Sequence, residues 1–254
     1  MKRGQVTQFI IAGLIILIAI IFIISARLDY VKDLFEQQKA KLVGVPSDIR
    51  PIENYLQNCF DEIGDDAITL VMLQGGYLYP NLNPGQYKEY NSIDIAYWYY
   101  DEKDLSPNTE DIKSNIASYI EVILPTCIDS ISENERFNEY NLSYNQVETN
   151  VNINGDNFIF NSNINLNVEY KGKNYKIDKL TSSVKKDSID VFNSAKSFFE
   201  DIKLSKNKLN LNKGYKYDFN LFYSDEDVIY SIYSNDTIIN FAVRFPEDKS
   251  MEEI

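Results

Sequence analysis

An uncharged apolar run near the start of the sequence constrains the possible fold and location of the protein more than any other feature. It extends from Gln5 to Ala26 and consists mainly of Ile, Leu, Phe and Ala. As an α-helix the run spans about 33 Å, enough to cross the hydrocarbon core of a bilayer. Lys2 and Arg3 precede it, and positive residues favour the cytoplasmic side. We therefore expect a single-pass protein of the cell membrane with a cytoplasmic N-terminus and an extracellular C-terminal domain.

Apolar residues continue beyond the run, which predicts that its helix extends into a stalk. Leu28, Val31 and Leu34 recur at helical spacing, and the GVP sequence at residues 44–46 then stops the pattern. The resulting helix covers residues 5–43. A cleaved secretory signal is the alternative, but its apolar core is only about 7 to 15 residues long and ends in small residues at the cleavage site. Membrane lipid is accordingly the first expected partner.

The residues ahead of the apolar run, KRGQVT at positions 2–7, resemble the class III signal peptide of archaeal type IV pilin-like proteins. The resemblance covers the sequence as far as about residue 30. It implies that a prepilin peptidase cuts between Gly4 and Gln5, so that residues 1–4 form a leader. It also implies that the retained helix packs against other pilin-like subunits in a surface filament.

Two residues depart from the pattern of that family. Many pilins carry Glu at the position of Phe9, where the carboxylate neutralises the terminal amine of a neighbouring subunit. Related archaeal signals often carry Ser at the position of Thr7. These departures leave cleavage in place and weaken the expectation of filament assembly, so the resemblance implies a minor pilin or a membrane-retained pseudopilin.

Residues 47–254 show helical patterns first and strand patterns afterwards, which predicts an extracellular α+β domain. Apolar residues follow a helical period from Ile49 to Leu73. They do so again after Asn108 as far as Pro125, which is expected to end or kink the helix. The helical part of the domain is therefore placed at about residues 47–135.

The strand-rich part is expected at about residues 144–245. Polar and apolar residues alternate there, and the NGDN sequence at residues 154–157 supplies the turn of a hairpin. Gly172 marks another turn, so three antiparallel strands, one helix from about residue 188 to 202 and further strands are the simplest interpretation. The aromatic segment Ile93–Tyr100 is expected as a short strand or packed segment. The expected fold class is thus α+β, with a long N-terminal hydrophobic helix followed by a helical plus antiparallel β domain.

Composition excludes several classes of function. The chain has 38 acidic residues against 25 basic ones, so it lacks the positive surface that a nucleic-acid backbone requires. It has no histidine, which removes the usual general base near neutral pH and the commonest imidazole metal ligand. We therefore expect no catalytic residue, no cofactor, no metal site and no nucleic-acid partner.

Cys59 and Cys127 are the only cysteines in the sequence. Each lies on or beside an expected helix, and the expected topology places both outside the cytoplasm, where thiols oxidise. We predict one disulfide between them, and two buried free thiols are the alternative. In the chain-entropy model the closed loop contributes about 4 kcal/mol to stability.

Carboxylates form three groups in the sequence, of the kind that a cation site or a carboxylate mechanism requires. They are Asp61, Glu62, Asp65 and Asp66; Asp101, Glu102 and Asp104; and Asp225, Glu226 and Asp227. None has calcium-loop spacing, and an acidic protein carries such groups on its solvated faces, so a structural interpretation is favoured.

Asn141 and Asn235 begin N-glycosylation sequons, which fit an exported surface.

The preferred hypothesis is a non-enzymatic cell-surface protein of the type IV pilin-like class, anchored or assembled through its N-terminal helix and acting in adhesion or surface attachment. A signal-anchored extracellular binding module that does not polymerise is the first alternative. An extracellular hydrolase that uses a carboxylate pair is the second, since no histidine is available. No residue identifies the ligand of the outer domain.

Overall fold

The structure is a computed structural model that describes residues 46–205, 214–224 and 226–246. Within these residues the chain forms three α-helices, namely α1 (Arg50–Leu73), α2 (Thr109–Glu133) and α3 (Ser188–Leu204). A 3-10 helix, Glu135–Phe137, follows α2. The expected leader at residues 1–4 and the expected stalk at residues 5–43 lie outside the described residues.

The first sheet combines strands from two distant parts of the chain. Its strands, numbered in chain order, are β1 (Tyr87–Tyr90), β2 (Ile93–Tyr100), β3 (Lys103–Asp104), β8 (Asp218–Ser224), β9 (Asp227–Tyr233) and β10 (Ile238–Arg244). Their order is β1-β2-β10-β9-β8, and β3 also pairs with β2. All pairs are antiparallel except β2 with β10, which run parallel. The β2–β10 pair therefore joins the front of the domain to its last strands.

The second sheet is antiparallel and continuous in sequence. Its strands are β4 (Tyr140–Ser143), β5 (Glu148–Asn154), β6 (Asn157–Tyr170) and β7 (Lys173–Lys185). β4 and β5 pair with different stretches of β6, and β7 pairs with both stretches, so β7 lies on the opposite side of β6. Gly155 and Gly172 have φ values of +58° and +71° in the two hairpin turns. Glycine suits both positions because other residues rarely adopt such angles.

The helices bury one face each against the sheets and against one another. α2 begins with a capping box, in which the Asn108 side chain accepts bonds from the Glu110 and Asp111 N–H groups, and the Asp111 carboxylate accepts one from the Asn108 N–H. Such a cap stabilises a helix by about 1 kcal/mol. α1 packs against α2 and β7. Its buried face consists of Ile52, Leu56, Phe60, Ile63, Gly64, Ala67, Ile68, Val71 and Met72.

Trp98 of β2 lies at the centre of the core between the first sheet and α3. Its ring stacks on Phe241 of β10 at a centroid distance of 4.2 Å, and it meets the edges of Phe192 and Phe199 from α3. The indole N–H donates a 2.8 Å hydrogen bond to the Gly75 carbonyl. A buried Trp needs such a partner, because an unpaired N–H group is costly away from water. The aromatic segment at residues 93–100 is therefore a core strand.

The expected fold class is wrong and is corrected by the structure. No helix among residues 46–205, 214–224 and 226–246 is long and apolar enough to cross a membrane. The described part is an α+β body rich in sheet, in which three strands lie between α1 and α2 and one strand pair is parallel. Local patterns do not reveal such a pair, because β2 and β10 meet from opposite ends of the domain.

Candidate functional site

The disulfide lies between the two long helices of the domain. Cys59 of α1 and Cys127 of α2 have Cα atoms 6.5 Å apart, and their sulfur atoms are bonded. Beside them the Tyr55 hydroxyl lies 3.0 Å from Oγ of Ser130. The bond spans a sequence separation of 68 residues, so it constrains the unfolded chain strongly in the entropic model.

The first acidic group, at residues 61–66, connects α1 to β7. Asp61 accepts hydrogen bonds from Gln57 at 2.8 Å and from the Ser182 hydroxyl at 2.5 Å. Asp65 forms an ion pair with Lys186 at 2.8 Å. Asp61 and Asp65 thus each have their own partners, and among the described residues no group of three or more possible metal ligands is found. The contacts of this group therefore hold α1 against β7 of the second sheet.

The second acidic group, at residues 101–104, forms a turn and an ion pair. Asp101 and Glu102 have positive φ values in the turn between β2 and β3. Asp104 pairs with Lys203 of α3 at 2.7 Å and accepts bonds from Ser106. Burial raises the pKa of Asp104, but the hydrogen bonds from Lys203 and Ser106 outweigh it and hold the pKa below its usual value. This group therefore attaches the β2–β3 hairpin to α3.

The third acidic group contains Asp227, the most deeply buried charged residue in the part of the chain that the structure describes. The Asp227 side chain has no exposed area. Arg244 donates to it from Nε at 2.7 Å and from Nη2 at 2.9 Å, and Lys88 Nζ lies 2.9 Å from Oδ2. Two cations therefore face one carboxylate, and the contacts join β9 to both β10 and β1. We call Lys88, Tyr97, Asp227 and Arg244 the Asp227 cluster.

Aromatic rings enclose the guanidinium of this cluster. The Arg244 guanidinium lies 5.1 Å from the ring centre of Tyr100 and 5.8 Å from that of Tyr97. At these distances the ring faces attract the cation. The Tyr97 hydroxyl also bonds to Asp227, and it lies 3.4 Å from Nη2 of Arg244. The aromatic residues thus hold the guanidinium in position for a bidentate contact.

The electrostatics of the Asp227 cluster favour an ion pair over proton transfer. Burial raises the pKa of Asp227, but hydrogen bonds from Arg244, Tyr97 and Lys88 reverse this effect, so the pKa lies below its usual value. Burial and the Asp227 carboxylate both raise the pKa of Tyr97. At neutral pH the carboxylate is therefore ionised and the phenol is neutral. Neither group has a pKa near neutrality, which a general acid or base needs.

The two sequons occupy different positions in the second and first sheets. Asn141 lies within β4, and its side-chain amide lies 3.4 Å from the Glu169 carboxylate. Asn235 is exposed in the turn between β9 and β10, and the Thr237 hydroxyl of its sequon is buried 3.0 Å from that of Ser188. Both asparagines are exposed. Gly4 and Gln5, the residues on either side of the expected leader cleavage, lie outside the described residues.

Comparison of the chain with protein-family models, with curated protein sequences and with solved structures found no match. Function is therefore inferred from the residues of this chain alone. Sequence reasoning missed the Asp227 cluster, because it placed residues 225–227 on a solvated face. A signal was available in the sequence, since Asp227 directly precedes the apolar strand residues Val228 and Ile229.

Proposed function

We propose that this protein is a non-enzymatic cell-surface protein of the type IV pilin-like class, a minor pilin or pseudopilin that displays its α+β domain outside the membrane. The observation that carries the proposal is the Cys59–Cys127 disulfide. Disulfides persist in oxidising environments and are rare in the cytosol, so the bond favours an exported domain. The apolar sequence from Gln5 to Ala26 supplies a means of retaining that domain at the membrane.

The contacts of the acidic groups support a role in display more than one in catalysis. Asp65, Asp104 and Asp227 each pair with a lysine or arginine from another element. Hydrogen bonds from these cations lower the pKa of Asp104 and of Asp227, which makes each of the two a poor general acid. These residues therefore serve the domain's stability, and adhesion or surface attachment is the activity proposed for its surface.

A signal-anchored binding module that does not polymerise is the second candidate. The observation that favours it is Phe9, which stands where many pilins carry the Glu used in assembly. Both candidates place the domain outside the cell. They differ in whether the N-terminal segment is processed and packs against other subunits.

The first test is the intact mass and N-terminal sequence of the full chain from membranes that contain a prepilin peptidase, without reducing agent. The proposal predicts a chain that begins at Gln5 and that lacks two hydrogen atoms because the disulfide has formed. An uncleaved start favours the anchored module. A start beyond Ala26 contradicts both membrane candidates, and a reduced chain contradicts the argument for export.

A pair of variants makes this test specific to the leader. Gly4→Val introduces a branched side chain at the residue before the proposed cut and is expected to stop processing. Thr7→Ser, which matches the residue that related signals often carry, is the control and is expected to be processed like the parent chain. Equal processing of both variants would contradict cleavage after Gly4.

A further inference from the structure

One face of the second sheet is covered by asparagine side chains. In β5 and β6 the asparagines alternate with buried residues such as Val151, Phe160 and Leu166. Successive residues of a strand point to opposite faces, so the asparagines lie on the face away from the core. We call this surface the amide face, and its six members are Asn150, Asn152, Asn161, Asn163, Asn165 and Asn167. Five of them are exposed and Asn161 is half-buried, so their amides are accessible to a ligand.

The concentration of asparagine on the amide face is not a general feature of the sheets of this protein. The described strands of the first sheet contain only Asn220 and Asn240, and the Asn240 amide donates to the Leu73 carbonyl at 3.0 Å. Asparagine is depleted in strands because its side chain competes for backbone hydrogen bonds. Six asparagines on one face therefore indicate a use other than strand formation.

The register of the strands arranges the amides as a grid. Asn150 lies directly opposite Asn161. Neighbouring strands are about 4.8 Å apart, and alternate residues of one strand are about 6.8 Å apart. The Asn152 amide donates to the Asn150 side-chain oxygen at 2.8 Å, and the Thr181 hydroxyl donates to that of Asn161 at 3.2 Å. Both oxygens thus accept bonds within the sheet, whereas each amide nitrogen carries two N–H donors.

The centre of this surface carries no charge. Two neighbouring rows across β5, β6 and β7 consist of neutral residues, namely Asn150, Asn161, Thr181, Asn152, Ile159 and Ser183. In the next row Asn163 lies between Glu148 and Lys179, whose charges are opposite. The amide face is therefore close to neutral although the chain has a net charge of −13. A neutral partner fits this charge distribution better than an ionic one.

We propose that the amide face binds an extended, neutral polysaccharide. Sugar hydroxyl groups both donate and accept hydrogen bonds, as side-chain amides do, so the two surfaces match without charge. A protein partner fits less well, because the cores of protein interfaces are enriched in aromatic residues, Met and Arg, whereas Ile159 is the apolar residue of the two central rows. The net charge of −13 opposes contact with a second copy and with nucleic acid.

This inference names the partner in the proposed surface attachment, and it rests on that proposed function for access to the outside of the cell. The contact itself uses residues of β5, β6 and β7 alone, none of which belongs to the proposed leader or anchor. A binding experiment therefore has an outcome separate from that of the N-terminal analysis. Failure to bind would remove the polysaccharide and leave the evidence for processing and export unchanged.

Sedimentation of the full chain in mild detergent with insoluble cellulose, chitin or mannan tests the proposal. The parent chain is expected to be retained by at least one of these neutral polymers. Asn150→Asp and Asn161→Asp are each expected to weaken retention about fivefold, because a carboxylate accepts hydrogen bonds but donates none. Both substitutions keep the oxygen that accepts a bond within the sheet, so the fold is expected to persist.

Asn193→Asp is the matched control, since Asn193 is exposed on α3 and the substitution adds the same charge away from the amide face. It is expected to be retained like the parent chain. Equal retention of the three variants would overturn the proposal, as would a parent chain that none of the three polymers retains. Retention by heparin-agarose alone would assign the surface to a polyanion and would also overturn it.

Replacement of two asparagines by threonine separates binding from folding. Threonine favours strands, so Asn163→Thr combined with Asn167→Thr is expected to raise the urea midpoint of unfolding. The same variant is expected to lower retention by the polysaccharide about threefold, because two amides are lost. Unchanged retention, or a loss of stability together with the loss of retention, would show that these asparagines serve the sheet and would refute the polysaccharide contact.

Discussion

Arg244 contacts both oxygens of Asp227, with Nε 2.7 Å from Oδ1 and Nη2 2.9 Å from Oδ2. The two residues are directly opposite on neighbouring antiparallel strands, so the contact spans β9 and β10 at one end of the first sheet. Such a bidentate contact fixes the geometry as well as the charge balance. The Asp227 side chain is fully buried, whereas that of Arg244 is 31 % exposed.

Asp227→Asn is expected to lower the free energy of unfolding by about 2–4 kcal/mol, because it leaves the cations of Arg244 and Lys88 without their shared carboxylate. Urea unfolding followed by the fluorescence of Trp98, the only tryptophan, measures the change. Asp236→Asn is the matched control, since Asp236 is exposed in a turn. It should alter stability by no more than about 0.5 kcal/mol. Equal effects of the two substitutions would show that the Asp227 cluster contributes no stability.

The advantage of the parent chain over Asp227→Asn is expected to depend on pH. Because the pKa of Asp227 is lower in the folded state than in the unfolded state, its ionised form contributes stability that is fully present above the unfolded pKa of about 3.9. That contribution is lost as the pH falls through the lowered, folded-state pKa. Urea unfolding of both chains should therefore show that their free energies of unfolding converge as the pH is lowered from neutral to about 3. A difference that grows on acidification would contradict the direction of the pKa shift.

Replacing both cysteines should destabilise the domain. Cys59→Ala with Cys127→Ala removes the bond that closes the loop between α1 and α2, and the expected loss is about 2–4 kcal/mol in the free energy of unfolding. Addition of a reductant should lower the stability of the parent chain by a similar amount. The double variant should not respond to the reductant, and a response there would place the effect elsewhere in the protein.

Local sequence patterns were sufficient to predict the elements that are formed by residues close together in the chain. The expected helix at residues 49–73 agrees with α1, and the expected turn at residues 154–157 joins β5 to β6. Both depend on residues close together in sequence, such as Gly155 with its positive φ. The residues of an amphipathic helix or of a two-residue turn are enough to predict that element without knowledge of its tertiary contacts.

Other features were not predictable because they depend on tertiary packing. Pro125 was expected to end or kink its helix, and it does not end it: α2 continues to Glu133 and buries Cys127, Ile128 and Ile131 beyond the proline. Burial of these residues offsets the hydrogen bond that a proline removes, which costs about 3 kcal/mol. The Asp227 cluster needs the register between β9 and β10, and no local pattern encodes that register.

Gly75 offers a test of how closely α1 approaches the first sheet. It has a φ of +83°, and a Cβ atom at this position would lie 2.9 Å from the Asn240 carbonyl oxygen. Gly75→Ala is therefore expected to cost about 1–2 kcal/mol from the backbone conformation and a further 1–3 kcal/mol from the steric contact. Urea unfolding with Trp98 fluorescence reports both, because the Trp98 indole donates to the Gly75 carbonyl.

Gly155→Ala separates the two contributions. Gly155 also has a positive φ, +58°, but a Cβ atom there would meet no other atom within 4 Å. Its substitution should therefore cost only the conformational part, about 1–2 kcal/mol. The excess loss at Gly75 measures the contact with the first sheet, in which Asn240 of β10 is the nearest neighbour and Ala96 and Trp98 of β2 follow at 3.3 and 3.4 Å. If both substitutions lower the free energy of unfolding equally, the backbone of β10 has moved away from the new side chain without loss of stability. The close approach between Gly75 and Asn240 then does not contribute to the specificity of the fold.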